Sequence, residues 1–372
     1  MQLLAFVSRL FFGVVFILSG FVKSIDPLGM TYKLQDFFTV FRVEWLFPVA
    51  LPFSVFLGSL EFLVGFAFLL GLTLRITAPV GFIIMAIFTP ATLYIALTDP
   101  VPHCGCFGDA IILTNWETFY KNILLLAAAA VVFFNRKKIR PFLSYAADGY
   151  ITLFAGVFIV SPSLYCLFYL PLIDFRPWKI GNDVGAYISV EQGPSPDVHL
   201  IFKNRKTGAV KKYPADNYPW YDPEWAGVWE YEARVQQTDE LRRMESPLEN
   251  FIIVDASGED LTEPIINRSG YQYLVVAYDL QTTNKSAFYD RVSPLAENAM
   301  EHGYPFLVLT ASSYETIEEF RERQNAAYPF FQSDERELKT IIRSNPGLVL
   351  LKDGVVKGKW PHRRIPLSLL EK

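Results

Sequence analysis

Cysteine is nearly absent from this chain, which carries three in 372 residues: Cys104, Cys106 and Cys166. So few thiols exclude a disulfide-stapled scaffold, and the lack of any cysteine after Cys166 excludes dithiol exchange within the C-terminal half. Charge is scarce too, but only at first. As far as Leu172 the sequence is dominated by Phe, Leu, Ile and Val; beyond it Asp, Glu, Lys and Arg recur at every turn. With a formal net charge of −4 and no basic stripe interleaved with aromatics, nucleic acid is not an expected partner. No basic segment precedes the first apolar run and no A-x-A-like site follows it. That run is therefore expected to stay in the membrane rather than be cleaved as a signal peptide.

What is present is a set of five apolar runs near the ~20 residues that span hydrocarbon. They are predicted over Leu3–Val22, Pro48–Leu72, Ile76–Leu97, Phe119–Phe134 (starting as early as Trp116) and Ile151–Leu170. The dense basic run Arg136–Arg140 and the turn carrying Arg75 then share one side, which positive charge marks as cytoplasmic. The N-terminus is expected inside, in a multi-pass arrangement in the cell inner (cytoplasmic) membrane, with the lipid bilayer as first partner. The Lys23–Trp45 segment, the cysteine loop and everything after Leu172 are expected outside, where disulfides persist. The expected division is a membrane domain at 1–140, a fifth span at 141–172, a polar linker with a small strand element at 173–246 and a soluble α/β domain at 247–372.

Cys104 and Cys106 sit in the loop His103-Cys104-Gly105-Cys106-Phe107-Gly108-Asp109, between the third and fourth runs. A Cys-x-Cys disulfide closes a very small ring and is strained, which makes it oxidising and easily passed to another thiol. Gly105 removes crowding between the cysteines, Gly108 allows a sharp turn, and His103 could raise the thiolate fraction of Cys104. Three uses are open: an exchange-active pair with Cys166 as a resolving thiol, a structural bridge to Cys166, or a soft-metal site drawing on His103, Cys104, Cys106 and Asp109. The last lacks a recognised zinc spacing, so no metal is assigned. Two charges fall inside spans, Arg9 and Glu61. Counted at about 1.5 Å per residue from opposite ends of antiparallel helices, both reach mid-depth and are expected to pair. An Arg9 that snorkels inward is the other structural reading, and a proton or quinone role is the competing one.

Arg9-Leu10, Ser19-Gly20-Phe21-Val22-Lys23 with Asp26-Pro27, Glu61-Phe62-Leu63-Val64-Gly65, and Gly71 with Arg75 resemble the DoxX family of small membrane proteins. With Cys104-Gly105-Cys106-Phe107-Gly108-Asp109 added, roughly the first 140 residues are similar to its MauE branch. That resemblance implies a four-helix membrane core and an association with methylamine utilisation and disulfide formation in periplasmic proteins. Periplasmic thiol proteins, or a soluble thioredoxin-like protein, would then be partners. No cofactor is fixed; a quinone and a thioredoxin-like partner are the two electron partners left open.

In the C-terminal half, strands are predicted at Val198–Phe202, Phe251–Asp255, Tyr273–Tyr278, Pro305–Thr310 and Gly347–Lys352. Helices are predicted at Ser286–His302, interrupted near Pro294, and at Thr316–Ala327. Alternating strands and helices imply a sheet with parallel pairs. Ser344-Asn345-Pro346-Gly347 followed by Leu348–Lys352 and Asp353-Gly354 resembles the thioredoxin-fold segment in which a cis-proline precedes a hairpin strand. That resemblance covers about Phe251–Lys372 and implies a peptide-binding role for Pro346. Where a thioredoxin carries its CxxC, this chain has Asp279-Leu280-Gln281-Thr282-Thr283-Asn284. The fold class expected is thus mixed: an α-helical membrane bundle followed by an α/β thioredoxin-like domain without its cysteines. The function expected is thiol–disulfide chemistry at the membrane, with a non-catalytic, membrane-anchored assembly or binding factor as the alternative.

Overall fold

A computed structural model describes residues 2–101, 104–139, 145–191, 198–205, 207–214, 219, 222, 225, 227–236, 248, 250 and 251–368. The chain divides into two compact units, 1–176 and 177–372.

The first unit is helical: α1 Gln2–Ile25, α2 Pro27–Val40, α3 Ala50–Leu70, α4 Leu74–Thr98, α5 Asn115–Asn135 and α6 Tyr145–Phe168, with a 3-10 segment at Glu44–Val49 leading into α3. All but α2 contain stretches long and apolar enough to cross a membrane, which makes this a membrane protein with five candidate spans. α2 occupies the segment read from sequence as an exterior connection. Asp26 starts it by accepting from the Gly29 N–H at 3.0 Å, with Pro27 in the first turn. α5 begins at Asn115 because Thr114 and Glu117 form a capping box. α4 runs on through both Pro79 and Pro90.

α1 packs closely on α3. A Cβ on Gly20 would lie 2.4 Å from the Phe62 nitrogen, and one on Gly65 would lie 2.6 Å from the Ile17 nitrogen. Only glycine lets the two backbones approach so far, the small-residue packing that holds helices together where lipid offers no hydrophobic drive. Phe12, Phe16 and Phe68 stack beside it at centroid distances of 4.0 and 4.3 Å. This contact fixes the register: Gly20 lies level with Phe62, and Gly13 with Leu69.

The second unit holds two sheets. A three-stranded antiparallel sheet, ordered β2-β1-β3, is built from β1 Val198–Asn204, β2 Val210–Pro214 and β3 Trp229–Gln236, where the sequence reading expected a linker with one strand element. A five-stranded sheet, ordered β6-β5-β4-β7-β8, comprises β4 Tyr271–Val276, β5 Phe306–Thr310, β6 Phe330–Gln332, β7 Gly347–Lys352 and β8 Val355–Pro361. β4, β5 and β6 run parallel, while β7 and β8 complete an antiparallel edge. Apart from Gln272, whose Nε2 donates to the Ile265 carbonyl at 2.7 Å, and Thr310, β4 and β5 are apolar and buried, as central strands must be. Asp353 and Gly354, at φ of 50° and 77°, make the two-residue turn from β7 to β8.

Between β4 and β5, one helical turn at Lys285–Ala287 passes through a π turn at Phe288–Val292 into a helix at Ser293–Glu301. The wider π turn sits just before Pro294, where the ring would obstruct α geometry. Phe251–Asp255 is not a strand. Val254 makes only isolated bridges, to Asp260 and to Gln332, because Asp255 turns the chain back by accepting from the Ser257 and Glu259 N–H groups.

Candidate functional site

The cysteine loop joins α4 to α5 and is tied down at several points. Asn115 Nδ2 donates to Asp99 Oδ1 at 2.7 Å and to the Val101 carbonyl at 2.8 Å, closing the mouth of the loop. Gly105 turns through the left-handed region at φ 69°. A Cβ there would also meet Lys33 Cδ at 2.4 Å, so a larger residue would displace the Lys33 side chain as well as strain the backbone. Lys33, on the unanticipated helix α2, donates to the Gly108 carbonyl and to Asp109 Oδ1, both at 3.0 Å. Lys121 of α5 lies 4.6 Å over the Phe107 ring.

These ties bring the Cys104 and Cys106 sulfurs to 3.9 Å, as two unbonded thiols. The hydrogen bond between the two sulfurs holds the Cys106 thiol well below the ordinary range, at about 5, against burial that pushes it up; Lys121 and Lys23 add to the lowering. The same hydrogen bond and burial push the Cys104 thiol up. Such an arrangement can hold a thiolate on one sulfur and the proton on the other.

Behind the loop lies a buried polar cluster. Lys23 Nζ donates to Glu61 Oε1 at 2.7 Å, to Oε2 at 2.6 Å and to Ser19 Oγ at 3.2 Å. Ser19 Oγ lies 2.8 Å from Glu61 Oε2 and 2.7 Å from the Cys106 carbonyl oxygen, linking the cluster to the loop. Glu61 and Lys23 are 3 % and 5 % exposed.

The expected Arg9–Glu61 pair does not form. The α1–α3 register sets Glu61 level with Phe21, between Ser19 and Lys23, and Arg9 lies twelve residues earlier, roughly 18 Å of helix rise away. Arg9 instead donates to the carbonyls of Phe68 at 2.9 Å and Leu69 at 3.3 Å, capping the end of α3. Sequence reasoning placed Ser19 and Lys23 in a motif without assigning them a partner. Their i, i+4 spacing, which puts both on one helix face, was the available signal.

Cys166 is buried on α6, 1 % exposed, and bonded to neither loop cysteine. His103 lies outside the described residues, and among those described no group of three or more His, Cys, Asp or Glu gathers as metal ligands. In the second unit the Asn345–Pro346 peptide is cis. Asn345 Nδ2 donates to the Asp279 carbonyl at 2.8 Å, and the Asn284 N–H donates to the Asn345 carbonyl at 3.1 Å, so Pro346 adjoins the Asp279–Asn284 loop. His362, half-buried, joins this loop through Ser344: its N–H donates to Ser344 Oγ at 2.9 Å.

Five candidate spans, a clamped pair of thiols at one end of the bundle and a buried charge cluster beneath them define a membrane protein with a thiol-bearing loop. Comparison with known families is consistent with that. The family of methylamine utilisation protein MauE matches over residues 1–135, so the helical N-terminal region is MauE-like. No curated protein and no solved structure matches the chain.

Proposed function

We propose that this is a membrane thiol–disulfide exchange protein whose working pair is Cys104 and Cys106. The observation that carries the reading is the 3.9 Å approach of two thiols of opposite tendency in a loop clamped by Lys33, Ser19 and Asn115. The Cys106 thiolate is the attacking sulfur and Cys104 closes the disulfide; buried Cys166 stays outside the exchange. The packing of α1, α3, α4 and α5 supports a DoxX-like four-helix core, to which α6 adds a fifth span. The loop faces the exterior of the inner membrane, and the basic run beginning at Arg136 faces the cytosol. By its likeness to the MauE family, the process served is disulfide formation in periplasmic proteins of methylamine utilisation.

The second unit is read as a thioredoxin-like binding domain. Its mixed five-stranded sheet and the Pro346 loop set against Asp279–Asn284 support this, and its lack of cysteine limits it to presenting a partner to the loop thiols. That same lack favours a second reading, in which the whole chain is a non-catalytic assembly factor. The double variant Cys104→Ser, Cys106→Ser separates the two. Loss of disulfides in client proteins at normal protein level is the result expected from exchange; unchanged clients and full complementation would make the chain a scaffold.

A further inference from the structure

We propose that Glu61 is a redox-linked proton site for the Cys104–Cys106 pair, trading its negative charge with the Cys106 sulfur opposite Lys23. This deepens the exchange reading and rests on it. Five short contacts join the cluster: Lys23 Nζ to Glu61 Oε1, Glu61 Oε2 and Ser19 Oγ, and Ser19 Oγ to Glu61 Oε2 and the Cys106 carbonyl. An ammonium and a hydroxyl hold four protons between them, so with Glu61 ionised one contact lacks a proton. A proton on Glu61 Oε2 completes the set. It donates to Ser19 Oγ, and Ser19 donates its own to the Cys106 carbonyl.

Charge argues the same way. The charged and titratable groups about this cluster are Lys23 on α1, the two loop thiols, Lys121 on α5, the Lys33–Asp109 ion pair between α2 and the loop, and Asp26 and the Asp174-paired Arg176, which line a cavity with Lys23. From α6 come apolar groups, Ile159 and Phe158, packed on Phe62. Lys23 is the cation buried with Glu61, and two anions beside one buried cation cost more than one.

When a protein dithiol reduces the pair, its two S–H bonds and the Cys104–Cys106 bond break and its own S–S bond forms. The two electrons settle on the Cys104 and Cys106 sulfurs. One proton goes to Cys104 and the other to Glu61, leaving Cys106 as thiolate. The negative charge passes from Glu61 to Cys106, and the net charge of the cluster and the thiol pair together stays the same throughout. Reoxidation reverses each step.

The test is a redox titration of the full chain in lipid nanodiscs against a dithiol–disulfide buffer, from pH 6 to 7.5, with thiolate absorbance followed in parallel. Two protons per two electrons lower the midpoint potential by about 59 mV per pH unit, and one proton by about 30 mV. The expected slopes are the larger for the unmodified chain and the smaller for Glu61→Gln, with the thiolate present in both. Reduced-minus-oxidised infrared difference spectra of the unmodified chain give a readout that does not depend on the variant folding. A protonated-carboxyl band is expected on reduction. Equal slopes in the two proteins, a slope near 30 mV without that band, or a steep slope without thiolate would overturn the proton site and leave the exchange reading standing. A pair that forms no disulfide ends both.

Discussion

Lys23 Nζ bridges both carboxylate oxygens of Glu61, at 2.6 and 2.7 Å, with both side chains buried inside the bundle. In the oxidised chain, where Glu61 is ionised, removing one partner of such a pair strands the other, at a cost of about 3–5 kcal/mol. Lys23→Met or Glu61→Leu alone should therefore lower the thermal stability of the detergent-purified protein sharply, while the double variant loses less than either. Additive losses in the cycle would show that the pair is not coupled.

Alanine should be rejected at a glycine of the α1–α3 contact and accepted at one on the open face of α6. Gly20→Ala drives a Cβ into the Phe62 backbone and should cost on the order of 1–3 kcal/mol. Gly156, which has nothing within 4 Å of a built Cβ, should accept alanine with no loss. Melting curves of the two variants side by side check this.

Cys106 should alkylate in the reduced chain at pH values where ordinary thiols are inert. Its thiol is lowered, so the thiolate persists as pH falls and is lost only through about 5 rather than the usual ~8.5. The stability it lends the reduced state is full above ~8.5 and disappears across the same descent. Lys121→Met removes a cation that favours the thiolate and should move the profile upward. Rates of iodoacetamide labelling against pH, read by peptide mass at Cys106, measure both effects.

Much of the fold was legible because its signals are local. Hydropathy alone located all five spans, and Gly347–Lys352 with Asp353-Gly354 marked a hairpin whose strand and turn fall at those residues. α2 was missed because its 14 residues are too short and mixed to read as a span, although Asp26-Pro27 is a helix start. The Val198–Gln236 sheet was read as linker because no alternation is sustained across it. The site was half legible. Composition and spacing picked out Cys104, Cys106 and Glu61, but Glu61's partner depends on a helix register set by glycine contacts, which no spacing within one helix reveals. For the same reason Lys33 could not be connected to the loop it clamps.

The proposed topology rests on five candidate spans and one dense basic loop. A phosphatase reporter fused after Arg140 should be inactive, and one fused after Lys372 active. Activity at the first, or none at the second, would put the C-terminal unit in the cytosol and remove its access to exported thiols.

The central claim is that Cys104 and Cys106 change redox state together. Intact cells are treated with a membrane-permeant alkylating reagent before and after a thiol reductant, and the two sites are read by peptide mass. Exchange requires a Cys104–Cys106 disulfide in a fraction of the chain, converted by reductant into two alkylated thiols while Cys166 stays unchanged. Cysteines alkylated equally before and after reductant would contradict the account.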